Sequence, residues 1–341
     1  MMSYGGAAGR SPFHPSPFHH MATLCELGHS GLHIAPLVLG GNVFGWTADE
    51  KTSFAVLDAF VAGGGNAIDT ADVYSAWVPG HQGGGQSETV IGNWLKQRGR
   101  RDDVLIFTKV GMDLGDGKNG LSKARIKQAV EASLKRLQTD YIDLYQSHKD
   151  DESLPVTEPL EAYAELLKEG KIRAIGASNF KPERLQAALD AAQNGLPRYE
   201  SLQPEYNLYD RETFEKDDLG IVQASGIGVI PYFGLAAGFL TGKYRSEADL
   251  QQSQRGGGIG KKYLNDKGFQ ILKALDAVAE RHGISQAQVA LAWLMQAPGI
   301  TAPIASGTKV EQVQELTKAL DVQLTADDVA ELQAPTPTKA A

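Results

Sequence analysis

The chain has 341 residues, of which 33 are lysine or arginine and 41 are aspartate or glutamate, giving a formal net charge of −8. A chain of this length can bury a sizeable core, in one large domain or two small ones. The acidic balance argues against a nucleic-acid-binding surface, and no apolar run reaches the roughly 20 residues of a membrane helix. Cys25 is the only cysteine, so an internal disulfide is excluded and a reducing, cytoplasmic location is expected.

The first residues differ in composition from the rest of the chain. Residues 1–22 are rich in glycine, serine, proline and histidine, and they lack the uninterrupted apolar segment of a signal peptide. We predict a disordered tail or tag there, followed by a single domain over residues 23–341. The histidines of this segment have no metal-ligand spacing, and no metal site is predicted.

Strand and helix signals alternate along the remainder. Residues 23–36 alternate loosely around two glycines, which predicts a β-hairpin. Short apolar runs then predict eight strands, at 37–39, 67–69, 104–109, 141–148, 171–177, 199–203, 227–232 and 301–305. Apolar residues at helical spacing predict helices at 49–62, from 87, and at 125–137, 159–168, 182–192, 210–224, 269–282 and 285–297.

Eight alternating strand and helix units predict an α/β fold with a parallel sheet, closed as a TIM (β/α)8 barrel. The hairpin precedes the barrel, and extra helices lie before the eighth strand and at the C-terminus. A doubly wound sheet is the alternative. Against it, no G-x-G-x-x-G sequence follows the first strand, where a dinucleotide-binding turn would lie.

Local signals predict several helix starts and one loop. Ser87 and Asn179 lie where a side chain can cap the helix that follows. Two pairs have capping-box spacing, Ser285 with Gln288 and Thr308 with Glu311. The three glycines at 256–258 predict a mobile loop.

Four polar residues follow the ends of successive predicted strands. Asp69 ends the second strand, Tyr74 follows five residues later, Lys109 ends the third strand and His148 ends the fourth. In a barrel, such strand ends meet at one face, where active sites lie. Taken singly, each residue could be structural, but together they predict one shared site.

These residues belong to short motifs that occur in a set order. The chain resembles the aldo-keto reductase family, including its potassium-channel β-subunit branch, from about residue 23 to 332. The resemblance is carried by Asp69-Thr70-Ala71 with Tyr74, Phe107-Thr108-Lys109, Tyr145-Gln146-Ser147-His148 and Gly176-Ala177-Ser178-Asn179-Phe180.

The resemblance implies the roles of the four residues. Tyr74 would donate a proton to a carbonyl oxygen, and Lys109 would lower its pKa from the ordinary value of about 10. Asp69 would hold Lys109 charged and oriented, and His148 would hydrogen-bond the same oxygen. Since no side chain can supply a hydride, the reaction requires a nicotinamide cofactor.

The resemblance also implies where NADPH would bind. The residues implied to bind it are Ser178, Asn179 and Gln203 at the carboxamide, Tyr232 at the ring, Leu235 and Gly238 at the pyrophosphate, Ser306, Gly307, Thr308, Lys309, Gln312 and Glu315 around the adenosine 2′-phosphate and adenine, and also Phe233 and Lys243. Two positions depart from the family pattern, because Gln312 replaces an arginine and Leu316 an asparagine. NADPH is still the expected cofactor, but because of these two departures NADH is possible as a second one.

The substrate expected from the resemblance is a small-molecule carbonyl compound. Trp46 and Trp77, in loops at the active end, are predicted to wall the substrate pocket, and Lys149 favours a polar or small aldehyde. Two other functions stay open: a Schiff-base lyase with Lys109 as the nucleophile, and a non-enzymatic NADPH-binding regulatory subunit. The sequence leaves the oligomeric state open.

Overall fold

The computed structural model describes residues 23–334 except 82, 116, 118 and 253–255, so the predicted tail at 1–22 lies outside the described residues. As predicted, a hairpin comes first, with β1 (Cys25–Glu26) antiparallel to β2 (His33–Ile34). The parallel strands are β3 (Val38–Gly40), β4 (Ala67–Asp69), β5 (Leu105–Val110), β6 (Ile142–Ser147), β7 (Ile172–Ser178), β8 (Tyr199–Gln203), β9 (Gly228–Val229) and β10 (Ile304–Ala305).

The eight parallel strands form a closed barrel. They pair in the order β10-β3-β4-β5-β6-β7-β8-β9. The backbone amides of Thr301 and Ile304 donate to the carbonyls of Val229 and Pro231 at 2.8 and 2.9 Å, which joins the two edges of the sheet. The predicted TIM barrel is confirmed, and the doubly wound alternative is wrong.

The helices surround this barrel. They are α1 (Glu50–Ala62), α2 (Gln86–Arg98), α3 (Lys123–Leu137), α4 (Thr157–Lys168), α5 (Pro182–Ala192), α6 (Leu219–Ser225), α7 (Gly256–Tyr263), α8 (Asp266–His282), α9 (Gln286–Gln296), α10 (Val310–Thr317) and α11 (Ala326–Gln333). The extra helices predicted before the last strand are α8 and α9, and α7, which was not predicted, precedes them. Within the described ranges, no helix is long and apolar enough to cross a membrane.

Side chains alternate between the barrel interior and the helix layer, because successive strand residues point to opposite faces. Val38, Ala67, Phe107 and Leu144 fill the interior together with Leu27 of the hairpin. The residues adjacent to these along the strands pack outward against the helices, among them Leu39, Ile68, Ile106 and Tyr145. The apolar filling therefore occupies the amino-terminal half of the barrel, and polar side chains are left at the carboxyl ends.

The predicted helix caps at Ser87 and Asn179 are wrong. Gly85 precedes α2, and the Ser87 hydroxyl instead donates to the Gly41 carbonyl and accepts from Thr70, both at 2.7 Å. Lys181 precedes α5, and Asn179 turns its side chain toward the barrel mouth. Both side chains form tertiary hydrogen bonds instead of capping the nearest helix.

Two segments differ from the predicted elements. The predicted helix at 210–224 contains a π-helical turn, Phe214–Asp218, which leads into α6. The glycines at 256–258 begin α7 rather than forming a loop. A Cβ on Gly256 would lie 1.7 Å from the Leu250 carbonyl oxygen, so the absence of side chains allows this helix to pack closely.

Replacement of Gly92 is expected to destabilise the fold. This glycine of α2 faces α3, and an added Cβ would lie 2.1 Å from the Arg136 carbonyl oxygen. Because that neighbour is backbone, Gly92→Ala should lower the free energy of unfolding by about 1–3 kcal/mol. Gly220 of α6 has no atom within 4 Å of such a Cβ and serves as the matched control. Gly220→Ala should raise stability by up to about 1 kcal/mol.

Chemical denaturation of both variants beside the parent protein measures the difference. Equal denaturation midpoints for Gly92→Ala and the parent would contradict the close packing of α2 on α3.

Candidate active site

The four strand-end residues lie together at the carboxyl end of the barrel. Asp69 ends β4, Lys109 lies within β5, and His148 directly follows β6. These strands are neighbours in the sheet. Tyr74 belongs to the loop after β4, and its hydroxyl lies against Lys109. The structure thus brings all four predicted residues to one place.

Lys109 is the centre of the cluster and is fully buried. Its ammonium donates to Asp69 Oδ2 at 2.6 Å, to the Thr70 carbonyl at 2.8 Å and to the Tyr74 hydroxyl at 2.8 Å. An ammonium has three protons, so its hydrogen-bonding capacity is used completely. The Lys109 position is therefore set by the same loop that carries Tyr74.

Asp69 is held from its other side by two glutamines. Its Oδ1 accepts from the side-chain amides of Gln146 and Gln203, both at 3.0 Å. Gln203 also donates to Gln146 Oε1 at 3.0 Å. Gln146 was not predicted as a site residue. Its signal is strand periodicity, because it lies two residues before His148 and so faces the same side of β6.

Burial and charge together set the protonation of Lys109 and Tyr74. Burial disfavours the ammonium, but Asp69 and Tyr74 outweigh it and raise the pKa of Lys109 above its ordinary value. Burial also raises the pKa of Tyr74, with Lys109 opposing and Asp69 adding to the rise. Lys109 acts on the pKa of Tyr74 in the predicted direction, but the net pKa is raised rather than lowered, because desolvation of the phenolate exceeds the attraction of Lys109. Tyr74 is thus a neutral phenol that keeps its proton.

His148 is a neutral imidazole beside Tyr74. Burial, with Lys109 adding, lowers the pKa of His148 well below its ordinary value. Its ring lies 6.0 Å from the Tyr74 ring, edge to face. Its Nδ1 is buried and finds no hydrogen-bond partner among the described residues. A buried polar atom in this state is unusual and marks a position where a ligand can contribute the missing bond.

The ends of β7, β8 and β9 continue the cluster around the barrel. The Asn179 side-chain amide donates to the His148 carbonyl at 2.9 Å, and its Oδ1 accepts from the Tyr232 hydroxyl at 3.0 Å. Ser178 donates its hydroxyl proton to the Gln203 carbonyl at 2.8 Å. These predicted cofactor residues therefore adjoin the four-residue cluster through direct bonds.

The loop after β9 has a strained backbone. Of the six non-glycine residues with positive φ in the described chain, three are Phe233, Ala236 and Ala237, and Gly238 follows at φ +101°. Such strain is typical of functional segments, and left-handed residues in series form concave sites that bind anions. Leu235 lies within this loop. The side chain of Lys243 lies close to Gly238, since a Cβ added there would be 3.7 Å from its amino nitrogen.

The segment after β10 differs from its prediction. The capping box of Thr308 with Glu311 does not form, and Lys309 precedes α10 without a side-chain cap. Gln312 instead accepts from the Thr308 amide at 2.8 Å and from its hydroxyl at 3.2 Å. Ser306 donates to Asn42 at 2.7 Å. Gly307 packs on Val313, and Glu315 lies 3.6 Å from Lys318.

Two tryptophans stand beside Tyr74. Trp77 packs edge to face on Tyr74 at 6.1 Å and on Trp46 at 5.5 Å, between ring centroids. Half of the Trp77 surface is exposed. Both predicted pocket residues therefore lie at the mouth of the site.

The sequence profile of the aldo/keto reductase family matches residues 36–335. The chain belongs to this family. It is 36% identical over 307 residues to the uncharacterized oxidoreductase YrpG of Bacillus subtilis, covering 87% of this chain and 91% of the relative. It is 35% identical to the aldo-keto reductase YhdN of the same organism, covering 88% and 87%. A probable voltage-gated potassium channel subunit beta of Arabidopsis thaliana is 32% identical, covering 87% and 90%.

Aldo/keto reductases are oxidoreductases that act on small-molecule carbonyl compounds with NAD(P)H. The residues of this aldo/keto reductase fit a dinucleotide on two observations. The strained loop after β9 has the backbone form of an anion site with Lys243 beside it. The segment after β10 carries further hydrogen-bond donors. It begins next to the end of β9, because β9 and β10 are joined where the barrel closes.

Proposed function

We propose that this protein is an NADPH-dependent reductase of aldehydes or ketones, with Tyr74 as the proton donor. One observation carries the proposal. The buried Lys109 ammonium bonds both the Tyr74 hydroxyl and the Asp69 carboxylate at the mouth of the barrel. A buried ammonium that bonds a phenol at the carboxyl ends of the strands is the arrangement that a general acid with a stabilised anion requires.

In this mechanism each of the four residues has a separate role in the proton transfer. Tyr74 gives its hydroxyl proton to the substrate oxygen, and Lys109 stabilises the phenolate that remains. Asp69, fixed by Gln146 and Gln203, keeps Lys109 charged. His148, as a neutral imidazole, donates a hydrogen bond to the same oxygen. Bound nicotinamide would supply the hydride to the carbonyl carbon. Trp46 and Trp77 would exclude water from one side of the substrate.

The residues that would hold NADPH are grouped by strand end. Ser178, Asn179 and Gln203 would bind the carboxamide, and Tyr232 and Phe233 would contact the ring. Leu235, Gly238 and Lys243 would hold the pyrophosphate. Ser306, Gly307, Thr308, Lys309, Gln312 and Glu315 would surround the adenosine end. Lys309 is the charged residue best placed in sequence for the 2′-phosphate.

A panel of aldehydes and ketones tests the proposed activity. NADPH consumption, followed by absorbance, should appear with at least one small or polar aldehyde. Complete inactivity across the panel, with NADPH bound, would favour the regulatory alternative over the reductase.

NADPH is expected to bind without any metal ion. Chelator-treated protein titrated with NADPH should lose tryptophan and tyrosine emission in a saturable way, because the proposed cofactor residues include Tyr232 and adjoin Tyr74. Addition of zinc or magnesium should leave the affinity unchanged. Binding that appears only after metal is restored would contradict this expectation.

Gln312→Arg is expected to tighten NADPH more than NADH. Gln312 now occupies the Thr308 amide and hydroxyl with its own oxygen. Arginine has no acceptor, so both donors would be released, and its guanidinium can bind a phosphate in a bidentate way. We expect the ratio of NADPH to NADH affinity to rise by about tenfold or more.

Gln314→Arg is the matched control, since Gln314 is an exposed residue of the same helix. Fluorescence titration of both cofactors with both variants gives the ratio. Equal tightening of NADPH and NADH in Gln312→Arg would mean that Gln312 does not face the 2′-phosphate.

A regulatory subunit is the second candidate, favoured by the likeness to a probable potassium channel subunit beta. Comparing turnover with capture of a channel fragment by the purified protein separates the two. The lyase alternative is disfavoured because the raised pKa of Lys109 keeps its amine protonated, and a Schiff base requires a free amine. Borohydride trapping with a carbonyl compound is expected to leave Lys109 unmodified.

A further inference from the structure

A carboxylate lies in the apolar face of the helix that follows β8. Phe214, Asp218 and Val222 recur every four residues, and all three are buried. The π-helical turn Phe214–Asp218 ends at this acid, and such turns are frequent at functional sites. Asp218 is 8% exposed and makes no hydrogen bond or ion pair with any described residue. An unpaired charge in such a place is costly unless a partner supplies the opposite charge.

Asp218 opens onto a cavity of about 400 Å³. Phe180, Leu202 and Phe214 give it an apolar wall, and Asn179 and Tyr232 line another part. None of the residues Asp69, Tyr74, Lys109 and His148 lines it. The cavity therefore lies beside the carbonyl site and adjoins the proposed cofactor site. It shares with that site Asn179, which donates to the His148 carbonyl, and Tyr232, which donates to Asn179.

The other charges of the lining are already paired. Lys262 bonds Glu205 at 2.7 Å and Asp210 at 3.0 Å. Arg211 lies 3.8 Å from Glu215, and Lys267 lies 3.9 Å from Glu212. Asp218 is left as the unpaired charge of the described lining. Burial raises the pKa of Asp218 to about 6, and the neighbouring Asp217 adds to the rise, as is expected for a carboxylate that lacks a cation.

We propose that this cavity binds an organic ammonium ion, with the charged head on Asp218 and the apolar body against Phe180, Leu202 and Phe214. A metal ion fits less well, because it requires several oxygen ligands and the lining offers one free carboxylate. An amine with a short alkyl or aryl group fits both the carboxylate and the apolar wall, because it has one positive charge and is otherwise apolar.

Calorimetric titration without added cofactor tests the proposal independently of the reductase function. The probes are n-butylamine, benzylamine and phenethylamine, and the matched neutral probe is 2-phenylethanol. Asp218→Asn removes the charge, and Asp217→Asn is the control, since Asp217 is its exposed neighbour with the same charge. Thr213→Trp narrows the cavity from an exposed lining position without changing the charge.

At least one amine should bind the parent protein and Asp217→Asn with equal affinity. Its affinity should fall by about tenfold or more in Asp218→Asn and in Thr213→Trp, and 2-phenylethanol should bind at least about tenfold more weakly than phenethylamine. Asp218→Asn should fold normally, because it removes an unpaired buried charge, and thermal melting checks this. The proposal is overturned if no amine binds saturably up to about 10 mM. It is equally overturned if amine affinity survives Asp218→Asn, or if the alcohol binds as tightly as the amine.

Discussion

Tyr74→Phe is expected to lower kcat by about 10²- to 10⁴-fold, the usual effect of removing a positioned general acid. The substitution keeps the ring, so its packing against Trp77 and His148 should survive. NADPH affinity should stay within a few-fold, because the proposed cofactor contacts lie on β7 to β10. The loss should therefore appear in kcat rather than in cofactor binding.

Steady-state kinetics with the best carbonyl substrate and a parallel NADPH titration measure the two effects. Tyr141→Phe is the matched control, since Tyr141 immediately precedes β6, at the opposite end of the barrel, and should keep near-parent kcat. Near-full activity of Tyr74→Phe would show that the proposed mechanism is wrong, and His148 would become the next candidate for the acid.

Lys109→Met is expected to be about as slow as Tyr74→Phe. The phenol would lose the cation that stabilises its anion, and Asp69 would be left buried without its partner. Removing one member of a buried ion pair costs about 3–5 kcal/mol of stability, so this variant should also unfold more easily. Combining it with Tyr74→Phe should cost less than the product of the single effects, because both residues act on one proton.

A second variant separates the loss of stability from the loss of chemistry. Asp69→Asn combined with Lys109→Met removes both charges, so part of the stability should return while kcat stays low. Denaturation midpoints and kcat, measured on the same preparations, give the comparison. Recovery of activity together with stability would mean that Lys109 has only a structural role.

The sequence was sufficient for the architecture and for the grouping of the four strand-end residues. Asp69, Lys109 and His148 end runs whose pattern predicts strands, and a parallel barrel places all such ends at one face. The family resemblance extends through the same motifs, and membership of the family is confirmed. The fold and the grouping follow from the spacing of apolar residues within each strand or helix and from the order of these elements along the chain. Both can be read from the sequence alone.

The side-chain partners needed the tertiary structure. Ser87, Asn179 and Thr308 each had the local signal of a helix cap, but in the fold Gly41, His148 and Gln312 are their partners. A cap prediction compares a side chain only with its nearest helix, whereas the folded chain offers distant groups that compete for the same bond.

Protonation and burial were also decided only by the folded structure. From sequence, Lys109 was expected to lower the pKa of Tyr74, yet burial of the phenol outweighs the cation and raises it. Gln146 became a site residue through its place on the inner face of β6, and Asp218 became a buried unpaired acid at the π-helical turn. The sequence determined which residues are present and in what order. Only the packed structure determined how much water each one loses, and that desolvation sets the energy of every charge in the site.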